Sequence, residues 1–293
     1  MDLPAICHLF SYFTGNGEDG LHLAWSRDGY HWEALKGGRS FLPPMDVGRG
    51  IMRDPFLLLG PDNVFRLVWT DGWTGRTIGY ASSRDLLAWS ESKSIPVMMH
   101  EPTCRNSWAP EIFYDAARGC YLIIWSSTIP GRFPETDGTS EDEYNHRIYA
   151  TTTVDFQTFT PTTLFFDPGY SVIDATILAA NGRFYFIFKD ETRFPEAKKN
   201  LRLATSDQME GPYVNISEPF TGNWVEGPAV AQLGDDYVVY FDCYMQGRYG
   251  AARSKDLKTW EDASAQLMMP EGARHGAALQ VPGSVIAKLL AAQ

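Results

Sequence analysis

The chain has 293 residues, 44% of them hydrophobic and 21% charged, a balance that excludes disorder and fibrous repeats. Lys and Arg number 25 against 36 Asp and Glu, and the resulting −11 disfavours a phosphate backbone or an anionic lipid surface as partner. Neither a nucleic-acid partner nor a membrane span is expected, because no run approaches the ~18 uncharged apolar residues that a span requires.

The opening stretch Met1–Cys7 lacks a basic region followed by an apolar one, so no signal peptide is visible. Compartment is left open. The four cysteines, Cys7, Cys104, Cys120 and Cys243, show no CxxC pair and read as buried thiols.

A short pattern recurs along the chain: Ser or Thr, any residue, Asp, three residues, then an aromatic. It occurs as Ser26 to Trp32, Ser83 to Trp89, Thr153 to Phe159 and Ser254 to Trp260, with a degenerate copy at Thr205 to Tyr213. Aromatic and β-branched runs precede the later copies: Phe65–Trp69, Tyr121–Trp125, Phe184–Phe188 and Tyr237–Phe241. Each run follows a turn signal such as Asn181-Gly182 or Gly234-Asp235-Asp236, which is hairpin chemistry. Four short antiparallel strands per unit, five units in all, describe an all-β, five-bladed β-propeller. The first unit lacks an upstream innermost strand. Residues 274–280 can supply it, so the N- and C-terminal strands are expected to share one blade. No linker or composition shift divides the chain, and residues 1–293 read as one domain.

The predicted innermost strands carry polar residues where a structural strand would not. They read Arg53-Asp54-Pro55, Trp108-Ala109-Pro110-Glu111, Ile173-Asp174-Ala175, Glu226-Gly227-Pro228 and Arg274-His275-Gly276. Four blades are thus expected to aim a carboxylate at one axis, and the fifth an imidazole. Taken singly, Asp54 before Pro55 could be a turn residue and Glu111 a hydrogen-bond acceptor; in register with an independent repeat, they point to a site. Crowded carboxylates raise one another's pKa, and an acid kept protonated opposite an ionised carboxylate is the equipment of glycoside hydrolysis. Trp73, Trp108 and Trp224 lie near the same strands and could stack on a sugar ring.

This order of motifs resembles glycoside hydrolase family 43, five-bladed α-L-arabinofuranosidases, β-xylosidases and arabinanases, over about Cys7 to Val281. The resemblance implies an inverting hydrolase. Asp54 matches the general base, Glu226 the general acid, and Asp174 the carboxylate that orients the acid and keeps its pKa raised. Trp108 and Glu111 match a strand that shapes the sugar subsite. Arg53 is either a sugar-hydroxyl donor or an ion-pairing neighbour of the base. His275 matches a central position where some members hold a calcium ion through water; it is expected to line the channel, with metal contact the alternative and no cofactor required. The long segment from Pro130 to His146 is expected to wall the pocket and favour an exo enzyme.

The reading is therefore an exo-acting glycosidase acting on an oligosaccharide or on polysaccharide side chains, with α-L-arabinofuranosides as the leading substrates. A β-xylosidase or a galactosyl- or galactofuranosyl-releasing enzyme of the same fold is the alternative, and a non-catalytic carbohydrate-binding propeller is a third. Linkage and oligomeric state are not legible in the sequence.

Overall fold

The computed structural model describes residues 3–44 and 47–292. Met1 and Asp2 of the opening stretch lie outside the described residues.

The first blade contributes β1 (Ile6–Phe13), β2 (His22–Ser26) and β3 (Glu33–Ala34). The second holds β4 (Arg53–Leu59), β5 (Phe65–Thr70), β6 (Ile78–Ser83) and β7 (Lys93–Ile95). The third holds β8 (Trp108–Asp115), β9 (Cys120–Thr128), β10 (His146–Thr153) and β11 (Thr163–Phe166). The fourth holds β12 (Val172–Ala180), β13 (Arg183–Asp190) and β14 (Asn200–Ser206). The fifth holds β15 (Glu226–Leu233), β16 (Asp236–Cys243), β17 (Arg248–Ser254) and β18 (Glu261–Asp262). Then β19 (Arg274–Pro282) runs back as the innermost strand of the first blade, in the order β19-β1-β2-β3, and closes the ring. A C-terminal helix, α1 (Gly283–Ala291), which the strand pattern does not announce, buries Ile286 and Leu289 against that blade's core.

The repeated Ser/Thr-x-Asp turns are built alike in four blades. The hydroxyl of Ser26, Ser83, Thr153 or Ser254 accepts the N–H three residues on, at 2.8–2.9 Å. The Asp carboxylate accepts the next two N–H groups, as Asp85 does from Leu87 and Ala88 at 2.9 Å each. Each turn places its following residue at positive φ, +77° for Gly29 and +56 to +63° for Leu86, Phe156 and Leu257. The side-chain oxygens hold that conformation by satisfying N–H groups that no strand can reach.

The degenerate copy behaves differently. Asp207 turns outward to Arg183 (2.9 Å), and the fourth blade has three strands where four were expected. A single bridge, Thr205 to Val214, stands in for the missing one.

Aromatic side chains between blades make up the core, as Phe10, Trp32, Tyr240 and Tyr249 do between the first and fifth. All four cysteines are buried free thiols. Among the described residues, no helix is long and apolar enough to cross a membrane.

Candidate active site

Each innermost strand carries the same irregularity at its start. The register with the next strand skips two residues against one: Asp54-Pro55 opposite Trp69, Ala109-Pro110 opposite Trp125 and Asp174-Ala175 opposite Phe188. Gly227-Pro228 opposite Phe241 and His275-Gly276 opposite Tyr12 complete the set. Such a bulge re-aims one side chain, and here it does so five times around one axis. The facing residue is aromatic in all five blades, and in three the second bulge residue is Pro, which has no N–H to leave unpaired.

Asp54, Ala109, Asp174 and Gly227 sit at φ of +45 to +60°, a conformation costly for most side chains and tolerated by Asp and Gly. Neighbouring blades hold these bulges. Thr70 Oγ1 accepts the Ala109 N–H at 2.7 Å, Ser126 Oγ that of Asp174 at 3.3 Å, and Asp174 Oδ2 that of Gly227 at 3.1 Å. Glycine is required at 227: a Cβ there would lie 2.4 Å from His275 Cγ.

This equivalence corrects the expectation of four carboxylates and an imidazole at matching positions. The matching set is Asp54, Ala109, Asp174, Gly227 and His275. Glu226 stands one residue earlier, at the position shared by Arg53, Trp108, Ile173 and Arg274. Glu111 stands two residues beyond Ala109 and is 4% exposed.

An axial cavity of about 400 Å³ opens over these starts, within the roughly 300–1,000 Å³ usual for small-molecule sites. Arg53, Asp54, Trp73, Trp108, Asp174, Glu226 and His275 line it, as expected, with Arg274, which the sequence placed on its innermost strand without a role, and Asn16, Thr70 and Glu191, which the sequence reading missed. Two expected contacts are not there. Glu111 is buried beneath the lining, and Trp224 packs against Arg193 (5.3 Å) and Tyr244 (6.5 Å). Among the described residues, none of the segment Pro130 to His146 lines the cavity; Tyr144 instead packs at a tilt against Trp108, ring centroids 4.7 Å and planes 52° apart.

At the mouth, the Arg53 guanidinium lies over Trp73 (4.2 Å) and Phe13 (4.7 Å) and donates to Asn16 Oδ1 at 3.3 Å. Trp73, 48% exposed, meets Trp108 edge to face at 5.8 Å and donates from Nε1 to the same Asn16 oxygen at 3.0 Å.

At the centre, His275 Nδ1 stands 3.3 Å from Asp54 Oδ1 and 3.7 Å from Asp174 Oδ2. Burial alone would lower the imidazole's pKa, but the charge of Asp174, then the contact and charge of Asp54, outweigh it and bring the value to about 9. Burial would likewise raise Asp54. His275 outweighs it, with Arg53 and the 2.7 Å hydrogen bond from Thr70 adding, and Asp54 falls to about 2. Asp174 rises to about 7, chiefly through burial, with the charges of Glu226 and Asp54 adding. Glu111 lies well above its ordinary range through burial, the charge of Asp174 adding.

Glu226 is the exception to expectation. Burial pushes it up, but Lys189 Nζ 3.1 Å from Oε2 outweighs this, with His275 and Arg274 adding, so its pKa is lowered rather than raised. Arg274 Nη2 lies 3.4 Å from Oε1, and its Nε donates to Asp242 at 2.6 Å. Close carboxyls titrate as a set. Here Asp174 carries the neutral-range value, and Lys189, His275 and Arg274 hold Glu226 ionised.

The axial donors do not fit a directly ligated hard cation. Such an ion wants six or more oxygen ligands, and the centre is filled by an imidazole already paired with two carboxylates. Among the described residues, no group of three or more His, Cys, Asp or Glu could hold a metal.

A five-bladed ring with carboxylates converging on an axial cavity defines a propeller of the glycosidase class. Residues 4–284 match the family 43-related glycosyl hydrolase model, described as a probable glycosyl hydrolase domain, and the chain belongs to that glycoside hydrolase family 43 group. A curated α-L-arabinofuranosidase of Bifidobacterium longum subsp. longum is 24% identical over 82% of this chain, which spans only 30% of that relative. The crystal structure of an α-L-arabinofuranosidase from Lactobacillus brevis aligns with a TM-score of 0.57 at 15% identity, over 73% of this chain and 72% of the other. An exo-β-1,3-galactanase from Clostridium thermocellum aligns with a TM-score of 0.55 at 17% identity, over 72% and 47%.

Proposed function

We propose that the chain is the catalytic propeller of an inverting, exo-acting glycoside hydrolase that releases a terminal sugar, with α-L-arabinofuranosides as the substrate class. The observation that carries this reading is electrostatic. One cavity holds a carboxylate kept ionised by its imidazolium neighbour, Asp54, beside a carboxyl poised to exchange a proton near neutral pH, Asp174, with Glu226 next to it. The reaction requires a base and an acid in different environments; Asp174 brings the neutral-range proton beside Glu226, which is itself ionised in the free site.

In the proposed reaction Asp54 removes a proton from water as the water oxygen bonds to the anomeric carbon. The glycosidic C–O bond breaks on the opposite face, and its oxygen takes a proton from Glu226. Sugar and alcohol leave; Asp54 then gives up its proton and Glu226 regains one from solvent. Because Lys189 and Arg274 hold Glu226 ionised in the free site, sugar binding is assigned the task of loosening that clamp. Asp174 supplies the neighbouring negative charge that favours the protonated acid. A mouth walled by Trp73, Trp108 and Arg53 supports attack on a chain end.

The preference for arabinofuranosides is supported by the Bifidobacterium longum relative and the Lactobacillus brevis structure. The galactanase shares the fold, so galactosides belong in the test. Purified protein is assayed on nitrophenyl α-L-arabinofuranoside, β-D-xyloside, galactosides and galactofuranoside. Release from the first, lost in Asp54→Asn, is expected; release confined to another sugar reassigns the substrate, and silence across the panel counts for a binding propeller.

A further inference from the structure

Two lysines, Lys189 on β13 and Lys199 just before β14, are each 1% exposed, and the proposed reaction does not use the second at all. A buried ammonium persists only when paired. Their partners form an alternating chain. Lys189 Nζ donates to Glu226 Oε2 at 3.1 Å and lies 2.8 Å from Glu191 Oε2, a charge contact without hydrogen-bond alignment. Lys199 Nζ donates to Glu191 Oε1 and, at 3.1 Å, to Glu141 Oε2. Arg193 Nε closes the chain on Glu141 Oε1 at 3.1 Å.

Glu141 begins the short 3₁₀ turn Glu141–Glu143 inside the segment between β9 and β10. That segment therefore reaches the reacting groups through charge, not by lining the cavity. Nearby His146 adds no counter-charge: burial, then the charges of Lys189 and Lys199, take it to about 3 and keep it neutral.

A lysine between two carboxylates divides its attraction. Glu191 draws Lys189 away from Glu226, and Glu141 draws Lys199 away from Glu191. Removing either carboxylate leaves more uncompensated positive charge facing Glu226 and favours its ionised form. We propose that Glu191 and Glu141 are positioning residues which, through Lys189 and Lys199, set the protonation of Glu226, so that the inserted segment tunes the acid of the site. The catalytic consequence rests on the proposed role of Glu226; the relay itself does not.

The other charged groups near Glu226 are Arg274 and His275 from β19 and Asp174 from β12, with Asp54 from β4 lining the same cavity. Asp242 from β16, Tyr244 beyond it and Tyr249 from β17 also feel its charge. All are unchanged in the variants that follow.

The test is a ¹³C carboxyl NMR titration of Glu226, its signal assigned by its loss in Glu226→Gln, in the wild type, Glu191→Gln and Glu141→Gln. A parallel measurement follows kcat/KM against pH on nitrophenyl α-L-arabinofuranoside and on an alkyl arabinofuranoside. The midpoint of Glu226 is expected to fall by about 1 pH unit in Glu191→Gln, the size that one neighbouring charge produces, and less in Glu141→Gln. Lys189→Met should move it upward. The basic limb of the alkyl-glycoside profile should follow in the same directions. An unmoved midpoint overturns the relay whatever the rates do, as does a raised KM with an unmoved midpoint, which would make Glu191 a sugar contact. A midpoint that moves while the rate profile stays fixed leaves the relay standing and removes Glu226 as the acid. Should Glu191→Gln fail to fold, Glu141→Gln decides, its side chain being 48% exposed.

Discussion

His275 Nδ1 lies 3.3 Å from Asp54 Oδ1 across the junction of the first and second blades, both side chains nearly buried. The strand that closes the ring thus supplies the counter-charge of the proposed base. Ring closure and base ionisation are one structural event, and disturbing either should disturb both.

Replacing His275 with Ala should lower stability near pH 6 by about 3 kcal/mol, the usual cost of stripping one partner from a buried pair. The pH dependence has a definite sign. The imidazole's folded-state value is raised from 6.5 to about 9, so its contribution is complete below 6.5 and fades as pH rises toward 9. That of Asp54 is depressed from 3.8 to about 2, so its contribution is complete above 3.8 and fades as pH falls toward 2. The difference in Tm between wild type and variant should be largest between these limits and shrink toward pH 9.5. A difference independent of pH would mean that His275 is neutral in the folded protein.

Glu226→Gln should slow alkyl glycosides by about 10²–10⁴-fold, the usual worth of a general acid, and slow nitrophenyl glycosides far less, since their leaving group needs little protonation. Equal loss on both, read from kcat, would end the assignment of Glu226 as acid.

Trp73→Ala should raise KM with little change in kcat, because an exposed ring at the mouth binds ground and transition states alike. It also removes one of the two hydrogen bonds to Asn16 and uncovers Arg53, so a several-fold rise is expected from steady-state kinetics. A kcat loss at unchanged KM would place Trp73 at the reacting bond.

Gly227→Ala should destabilise the fifth blade's start, since the new Cβ meets both a left-handed backbone and the His275 ring. We expect a lowered Tm and loss of the raised His275 titration, followed by imidazole NMR.

The ring was legible because repeats at blade spacing survive in the Ser/Thr-x-Asp turns, whose Asp oxygens answer to local N–H groups. The closing strand was legible because 274–280 filled a gap that the first unit left. Only the fourth copy lacked a strand, and its turn is the one whose Asp207 abandons its own N–H groups for Arg183.

The cavity residues Arg53, Asp54, Trp73, Trp108, Asp174, Glu226 and His275 were found from strand starts. Glu111 was misplaced because spacing cannot show a two-for-one bulge, which decides whether a side chain faces the cavity or the interior; Trp224 lies ahead of its strand's bulge and packs against Arg193 and Tyr244. Lys189 and Asn16 were missed, and Arg274 was given no role, for a related reason. Their partners are distant in sequence, and a lysine inside an aromatic strand such as 183–190 gives no sign of what it pairs with. The pKa of Glu226 was read with the wrong sign because those cations were unseen.

In the proposed reaction Asp54 activates water for an inverting displacement. The most direct measurement is ¹H NMR of the first sugar released from nitrophenyl α-L-arabinofuranoside by wild type and by Asp54→Asn, with binding of the sugar to the variant followed by calorimetry. The wild type should release sugar of inverted anomeric configuration, and the variant should bind without hydrolysis. Retained configuration, or an Asp54→Asn variant that hydrolyses at the wild-type rate, would contradict that reaction.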